Sequence, residues 1–202
     1  NPDIDILNYR FELILSDDED IIRGSATLYI LFKVKGLKTI RLDLINKDDT
    51  SEGKGMEVSK VTLNGRTQKY VHRENVLTIV LDQPSRVNQE ISLTIDYYGV
   101  PASGLKIAPN KYGDRTFFSD NWPNRARHWL PTVDHPYEKA TSEMIVIAPN
   151  HYQVISNGLL VEESNLKDGL KRTHWKQAVP ISCWLYVLGV AEFAIQYVET
   201  FE

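Results

Sequence analysis

The sequence predicts an all-β fold, a saddle-like β-sandwich of antiparallel and mixed sheets. Apolar and polar residues alternate with a period of two through most of the first hundred positions. Turn-forming dipeptides separate these segments at short intervals, and no segment has a convincing helical period. A length of 202 residues suits one domain with a single core. Residues 1–202 are therefore expected to form a single β domain.

The first half of the chain contains the predicted strands with the clearest alternation. Residues 9–15 place Tyr9 and Phe11 on one face, which predicts a half-buried strand. Residues 21–35 are rich in apolar residues on both faces, which predicts a long strand covered on both sides. Asn64-Gly65 supplies the two positive φ angles of a type I′ turn and predicts a hairpin. The other strands predicted here span 40–44, 58–63, 67–72, 76–81 and 91–97, and the polar segment 47–55 is predicted to be a solvated loop.

The second half of the chain is less regular. Residues 99–140 are rich in Pro, Trp and Arg and alternate little, so they predict a long ordered loop that carries a site or an interface. Ser156-Asn157-Gly158 lacks the glycine-flanked elbow of a serine nucleophile and is predicted to be a turn between two strands. The strands predicted after residue 140 span 144–148, 152–156, 170–177, 183–187 and 192–197.

Composition excludes several classes of protein. The 23 Lys and Arg residues against 27 Asp and Glu give a net charge of −4, which provides no positive field for nucleic acid, so no nucleic-acid partner is expected. The longest nearly apolar stretch, 183–191, is shorter than the ~20 residues that cross a bilayer, so no membrane span is expected. The single Cys183 cannot form an internal disulfide and leaves the compartment unknown. The first residues, Asn1-Pro2-Asp3, and the last, Thr200-Phe201-Glu202, are expected to be cut edges of a longer chain.

The histidines do not form a recognisable metal motif. None of the five belongs to a His-Glu-x-x-His pair, which places two zinc ligands on one helical face. His128, Asp134 and His135 lie close in sequence and could hold a metal. The structural alternative, which we favour, is that these side chains form caps or salt bridges.

Carboxylates and tryptophans allow two further hypotheses. Asp120, Asp134 and Glu138 could include the acid and base of a glycosidase, or could pair with the neighbouring basic residues Arg125, Arg127 and Lys139. Tryptophans could form a platform for a sugar ring, or could be buried in a core or a seam between domains. The tryptophans concerned are Trp122, Trp129 and Trp175.

The segment 122–140, Trp-Pro-Asn-Arg-Ala-Arg-His-Trp-Leu-Pro-Thr-Val-Asp-His-Pro-Tyr-Glu-Lys-Ala, resembles the aminopeptidase N family of zinc peptidases. In that family Ala-Arg is followed by an aromatic residue, Pro, an Asp-x-Pro turn and Lys-Ala. The matching residues here are Ala126-Arg127, Trp129, Pro131, Asp134, Pro136 and Lys139-Ala140. Matches elsewhere keep the order of the family, and they are Asp5 to Tyr9, Ile22-Arg23-Gly24, Ser156-Asn157-Gly158, and Pro180 leading to Leu185, Gly189 and Phe193. The resemblance spans nearly all of the chain and is to the amino-terminal β domain.

The resemblance implies a role in an aminopeptidase, a zinc metallopeptidase that removes amino-terminal residues from peptides. The amino-terminal domain closes one side of the active-site cavity and docks on a catalytic domain. Zinc and the catalytic residues would belong to that domain, expected after residue 202, so this chain is expected to contain no catalytic residue and no metal. The implied partners are a peptide substrate and the catalytic domain of the same polypeptide. An alternative is an independent β-sandwich module that binds carbohydrate or peptide through Trp122 and Trp129.

One departure from the family concerns substrate recognition. The family has Glu or Gln at the position that accepts a hydrogen bond from the substrate's amine, and this sequence has Trp122 there. An indole N–H is only a donor, so Trp122 is expected to offer its ring face to the ammonium or to form a wall for the first side chain. The acceptor role would then pass to Asp120, Asn121 or Asn124. Changed specificity is predicted rather than lost activity.

Arg127 is expected to support the loop of this site, with direct contact to substrate as the alternative. It lies two residues before Trp129 and seven before Asp134 of the Asp-x-Pro turn. A guanidinium at that spacing can form a bidentate pair with the carboxylate and fix the loop that carries Trp122.

Overall fold

The computed structural model describes residues 2–47 and 52–196, and nearly all of their regular structure is β. Within these residues there are fifteen strands and two short 3-10 helices, Ala126–His128 and Cys183–Leu185. The strands are β1 Ile4–Ile14, β2 Ile22–Phe32, β3 Thr39–Asp43, β4 Gly55–Leu63, β5 Arg66–Thr67, β6 Tyr70–Arg73, β7 Val76–Val80, β8 Glu90–Val100, β9 Leu105–Pro109, β10 Arg115–Ser119, β11 Lys139–Pro149, β12 Gln153–Ser156, β13 Leu159–Asn165, β14 Leu170–Ser182 and β15 Leu188–Ala191.

The strands form three sheets. The largest has eight strands in the order β13-β14-β11-β1-β2-β8-β4-β5. It is mixed because β1 pairs with β11 in parallel and with β2 in antiparallel orientation. A four-stranded sheet has the order β12-β15-β10-β9, and a three-stranded sheet has the order β3-β7-β6. The predicted all-β fold with mixed and antiparallel sheets is confirmed.

One apolar core joins the three sheets. Phe11 and Leu28 come from the large sheet, Leu77 from the three-stranded sheet and Val190 from the four-stranded sheet, and all four belong to one cluster of buried side chains. Alternate residues of β1 and β2 are buried, as a strand with one face on a core requires. The half-buried strand predicted from Tyr9 and Phe11 is therefore present.

The other face of β2 is polar and partly exposed, so the prediction that this strand is covered on both sides is wrong. Ser25 Oγ donates to Asp96 Oδ1 at 2.7 Å, and the hydroxyls of Thr27 and Thr94 lie 3.1 Å apart. Tyr29, farther along the same face, is 43% exposed. Cross-strand polar pairs stabilise this face without a covering layer.

The Asn64-Gly65 hairpin is confirmed. Asn64 and Gly65 have φ values of 48° and 80°, and the flanking Leu63 and Arg66 are directly paired. These are the positive angles of a type I′ turn, which matches the twist of the two strands it joins. The turn at Ser156-Asn157-Gly158 is also confirmed, because it joins β12 to β13.

Several other strand predictions are wrong. Residues 183–187 contain a 3-10 helix where a strand was expected, and residues 192–196 form no strand. The strand of this region, β15, lies between them, in an apolar run that does not alternate. The segment 99–140 contains β9, β10 and the first residues of β11 besides loops, and β13 was not predicted. Positions 48–51 of the predicted solvated loop, Tyr197, and Thr200 to Glu202 lie outside the described residues.

Candidate functional site

Trp122 lies at the surface on a tight turn that follows β10. Its side chain is 64% exposed, and its peptide bond to Pro123 is cis. The turn closes where Arg125 N donates to the Asn121 carbonyl at 2.8 Å, and the 3-10 helix Ala126–His128 begins directly after it. An exposed indole on a short closed turn presents its ring face to solvent.

The buried side chain of Asn121 holds this turn in place through two hydrogen bonds. It is only 2% exposed; its Nδ2 donates to the Tyr186 carbonyl at 2.6 Å, and its Oδ1 accepts from Trp129 Nε1 at 2.8 Å. Both ends of the amide are therefore engaged inside the domain. Among the three predicted replacement acceptors, Asn121 is thus placed to support Trp122 and not to face a ligand.

Asp120 and Asn124 lie on the solvent side of the same turn. The Asp120 side chain is 62% exposed and pairs with Arg125 Nη1 at 2.7 Å, while Asn124 is exposed beside Trp122. An exposed pair of this kind contributes about 0–1 kcal/mol. A cationic group of a ligand could therefore replace Arg125 at the Asp120 carboxylate at little cost.

Arg127 contacts Asp134, as the sequence predicted, but in a different geometry. Its Nε donates to Asp134 Oδ2 at 3.0 Å and its Nη2 donates to the Asp134 carbonyl, also at 3.0 Å. The Arg127 backbone N–H donates to the same carboxylate oxygen at 3.2 Å. The expected fork on two carboxylate oxygens is therefore replaced by one contact to the side chain and one to the backbone.

The second oxygen of Asp134 has a different donor. Cys183 Sγ lies 3.1 Å from Asp134 Oδ1, and the Asp134 N–H donates to Asp43 Oδ2 at 2.9 Å. Burial, together with the nearby Asp134 carboxylate, raises the pKa of the Cys183 thiol. The thiol therefore stays protonated and acts as a donor to a carboxylate that is almost fully buried.

Two hydrogen bonds connect this region to β1. Val133 N donates to Tyr9 Oη at 3.0 Å, and Ile6 N donates to Glu138 Oε1 at 2.8 Å. Burial raises the pKa of Glu138, although the bond from Ile6 opposes that shift. The segment carrying Trp122 is therefore attached to the centre of the large sheet.

Gly104 provides a further close contact with the turn. Its φ is +75°, and an added Cβ would lie 2.1 Å from the Arg125 carbonyl oxygen. The position therefore requires glycine for both its backbone conformation and its space. Sequence reasoning missed Gly104, Asp43 and Tyr186, because their contacts with the segment 121–134 come from distant parts of the chain and no local motif marks them.

The side-chain geometry supports neither the alternative metal site nor the alternative glycosidase site. Within the described ranges, no three His, Cys, Asp or Glu side chains are grouped so as to hold a metal ion. His128, Asp134 and His135 therefore do not form a zinc site. The carboxylates of Asp120 and Asp134 pair with Arg125 and Arg127. His128 is half-buried, and burial together with Arg127 lowers its pKa, so it is neutral near pH 7.

The tryptophan platform is also absent. Trp129 is fully buried, and Trp175 is partly buried with its Nε1 donating to the Val154 carbonyl at 2.9 Å. The alternative in which Trp122 and Trp129 together stack on a ligand is therefore wrong. Of the three, only Trp122 presents a free ring.

Comparison with known sequences gives related proteins. Residues 6–185 match the family described as the Peptidase M1 N-terminal domain. The chain is 32% identical over 75 residues to human glutamyl aminopeptidase, covering 37% of this chain and 8% of that protein. It is 25% identical over 165 residues to probable aminopeptidase 1 of Sulfurisphaera tokodaii, covering 80% of this chain and 20% of that protein.

Solved structures share the fold. The M1 zinc metallopeptidase of Deinococcus radiodurans aligns with a TM-score of 0.79 and 27% identity over 93% of this chain and 42% of that one. A two-domain M1 zinc metallopeptidase bound to L-tryptophan aligns with a TM-score of 0.81 and 25% identity over 95% of this chain and 43% of that one. The chain thus spans less than half the length of each of these relatives. In the described part of the chain, no helix has the length and apolarity to cross a membrane.

Proposed function

The chain belongs to the peptidase M1 family as its N-terminal domain, and from this premise we propose that it forms one wall of the substrate cavity of a zinc aminopeptidase. The enzyme would remove amino-terminal residues from peptides. The described residues contain no fitting set of zinc ligands, so the metal chemistry would belong to a separate catalytic domain. This domain would contribute binding and orientation of the substrate.

The observation that carries the proposal is the exposed ring of Trp122 on a rigid support. By the sequence resemblance, Trp122 would occupy the position where the family binds the substrate amine. Asn121, Trp129 and Arg127 hold its turn through buried or partly buried hydrogen bonds. Rigid placement matters, because contacts that orient a substrate contribute to catalysis only when their geometry is fixed in advance.

Two interactions would then recognise the amino-terminal residue. The ammonium would lie over the Trp122 ring, a contact that contributes about 0.5–2 kcal/mol, with Asp120 or Asn124 as the acceptor. The remaining ring surface would contact the first side chain. Related metallopeptidases have been solved with L-tryptophan and with a Tyr-Ser-Ala substrate, which supports amino acids and peptides as the ligand class.

An exposed apolar patch supports docking on another domain. Ile155, Leu185, Val187 and Phe193 are between 41% and 54% exposed, although they surround the buried strand β15. Ser156 and Asn157 bind the backbone of Val187 and Leu185 and hold the patch in place. Patches of this kind on a folded domain mark interaction surfaces, and we assign this one to the catalytic domain.

The test of the proposed function is Trp122→Glu in the full-length protein. A carboxylate would accept a charge-assisted hydrogen bond from the amine, so the preference for free over acetylated peptides, measured as the ratio of kcat/KM values, should rise about tenfold. Trp122→Phe keeps a ring face and should change this ratio little. Tyr112→Glu adds the same charge at a position that is 76% exposed on the β9–β10 loop and should leave the ratio unchanged.

Two outcomes would contradict the proposal. An unchanged ratio in Trp122→Glu would remove Trp122 from the site. A full-length protein that cleaves neither aminoacyl anilides nor peptides would remove the aminopeptidase function itself.

A further inference from the structure

The strand β9 has a free edge next to the Trp122 turn. It is the last strand of the four-stranded sheet, and among the described residues no strand pairs with its other side. Lys106 lies opposite Phe118 in the pairing with β10. The Asp120 N–H donates to the Gly104 carbonyl at 2.8 Å, which fixes which residues of β9 bond to β10.

The alternation of an antiparallel pair then gives the direction of each backbone group. Because Gly104 bonds to β10, so do Lys106 and Ala108, while the residues between them point their N–H and C=O groups away. Ile107 therefore presents a donor and an acceptor at the free edge, and Leu105 presents an acceptor. An extended peptide can bind such an edge as an additional strand.

A groove connects this edge to the candidate site. A cavity of about 550 Å³ is lined by Leu105, Lys106 and Ile107 of β9 and also by Asp120 and Arg125 of the Trp122 turn. The segment 100–104 forms its other wall. A peptide whose first residue lies at Trp122 would therefore find the edge of β9 in the same groove.

The charges of the groove favour one kind of side chain. Asp20 pairs with Arg115, and Asp120 pairs with Arg125. Lys106 is exposed and forms no ion pair within the described residues. The side chain of Phe118, directly opposite it, is 60% exposed. A peptide side chain on this face would thus meet a cation beside an aromatic ring, which suits Asp or Glu.

We infer that the outer edge of β9 binds the backbone of the peptide substrate beyond its first residue, with a preference for an acidic side chain at the position facing Lys106. The inference rests on the proposed function, since it takes the amino terminus of the peptide to lie at Trp122. It adds a binding site for the extended part of the chain and a charge preference there.

Ile107→Pro is the variant that tests the edge. Proline lacks the N–H, and at Ile107 that N–H points away from β10, so the sheet keeps its own hydrogen bonds. Ile107→Val retains the N–H and is the matched control. Lys106→Glu tests the charge preference separately and leaves the backbone edge intact.

The assay compares two substrates of the full-length protein, an aminoacyl anilide and a pentapeptide with the same first residue. Ile107→Pro should lower kcat/KM for the pentapeptide about five- to tenfold and leave that for the anilide within twofold. Ile107→Val should change neither. The unmodified protein should prefer a pentapeptide with Glu at the third or fourth position over one with Lys there, and Lys106→Glu should invert this preference. Equal effects of Ile107→Pro on both substrates, or no effect on either, would overturn the inference while leaving the proposed function in place.

A second measurement separates failure of the inference from failure of the proposed function. Hydrogen exchange at the Ile107 amide of the unmodified protein should be fast without peptide and at least tenfold slower with a saturating pentapeptide that has a free amino terminus and a non-hydrolysable first peptide bond. This readout requires neither turnover nor a stable Ile107→Pro variant. Slow exchange in the absence of peptide would show that another part of the protein covers the edge, and equal exchange rates would show that no peptide binds there. Either result would overturn the inference.

Discussion

Two arginines of the site segment, Arg125 and Arg127, are separated by one residue and have different surroundings. Arg125 pairs with Asp120 at the surface, where the two side chains are 43% and 62% exposed. Arg127 pairs with Asp134, whose side chain is only 1% exposed. Loss of a partner therefore has different consequences for the two carboxylates, because one is hydrated and the other is buried.

We expect Arg127→Ala to destabilise the chain by about 2–3 kcal/mol, since it leaves a buried carboxylate without its main donor. Arg125→Ala should cost about 0–1 kcal/mol, because Asp120 is solvated. Urea denaturation of the two variants, with equal m values, measures the difference. Equal losses of stability would contradict the assignment of Arg127 to the scaffold of the turn.

At the scale of single residues, the sequence predicted the contacts that are local. The Arg127–Asp134 contact spans seven positions and follows a family motif. Asn121 was predicted to be a candidate acceptor, yet its amide is buried against Tyr186, 65 positions later. Burial of that kind depends on tertiary packing, and polarity alone does not predict it.

At the scale of elements, the loop that precedes β9 packs closely against the turn that carries Trp122. Gly104 directly precedes β9, and Gly113 lies in the loop between β9 and β10. Both have positive φ values, +75° and +96°. An added Cβ at Gly104 would meet the Arg125 carbonyl, whereas at Gly113 nothing lies within 4 Å. The two positions therefore separate the cost of the backbone conformation from the cost of the close approach.

Gly113→Ala should cost about 1 kcal/mol, the cost of a left-handed conformation for alanine. Gly104→Ala should cost at least about 2 kcal/mol more, because the Arg125 backbone must also move. Chemical denaturation of both variants gives the comparison. If the two losses were equal, Gly104 would not hold the turn in position.

Two of the strands that sequence reasoning missed, β10 and β15, are short or lie within an apolar run. Thr116 and Phe118 of β10 share one face, and Phe117 and Ser119 the other, but with only five residues, β10 gives little periodic signal. β15 is buried at all four positions, and a continuous apolar run does not distinguish a strand from other buried segments. The long strands and the Asn64-Gly65 hairpin were predictable because alternation or turn chemistry marks them directly.

At the scale of the whole molecule, the groups that we propose to bind substrate lie together, while within the described residues His, Cys, Asp and Glu side chains do not group as a metal site. Asp120, Arg125 and the edge of β9 line one groove, and Trp122 lies on the same turn as Asp120 and Arg125. In the residues described, the search for a set of metal ligands finds none. The fold class and the family could be predicted from sequence motifs spread over the chain, but the groove could not, because it forms only where β9, β10 and the turn come together.

We therefore expect the 202-residue chain by itself to retain less than 0.1 equivalent of zinc after dialysis and to show no hydrolysis of aminoacyl-nitroanilides. Elemental analysis and a colorimetric assay measure the two quantities, with the full-length protein as the positive control. Turnover that survives chelation and repurification would contradict the assignment of the metal chemistry to another domain.

The parallel pairing of β1 with β11 has a consequence for how the chain acquires its structure. Asn8 pairs with Thr141 and Ile14 with Ile147, so a neighbour of the first strand is synthesised more than a hundred residues later. Closing so long a loop is slow. During translation one edge of β1 therefore stays unpaired until β11 has been synthesised. Chaperone binding to the nascent polypeptide should persist until β11 has left the ribosome.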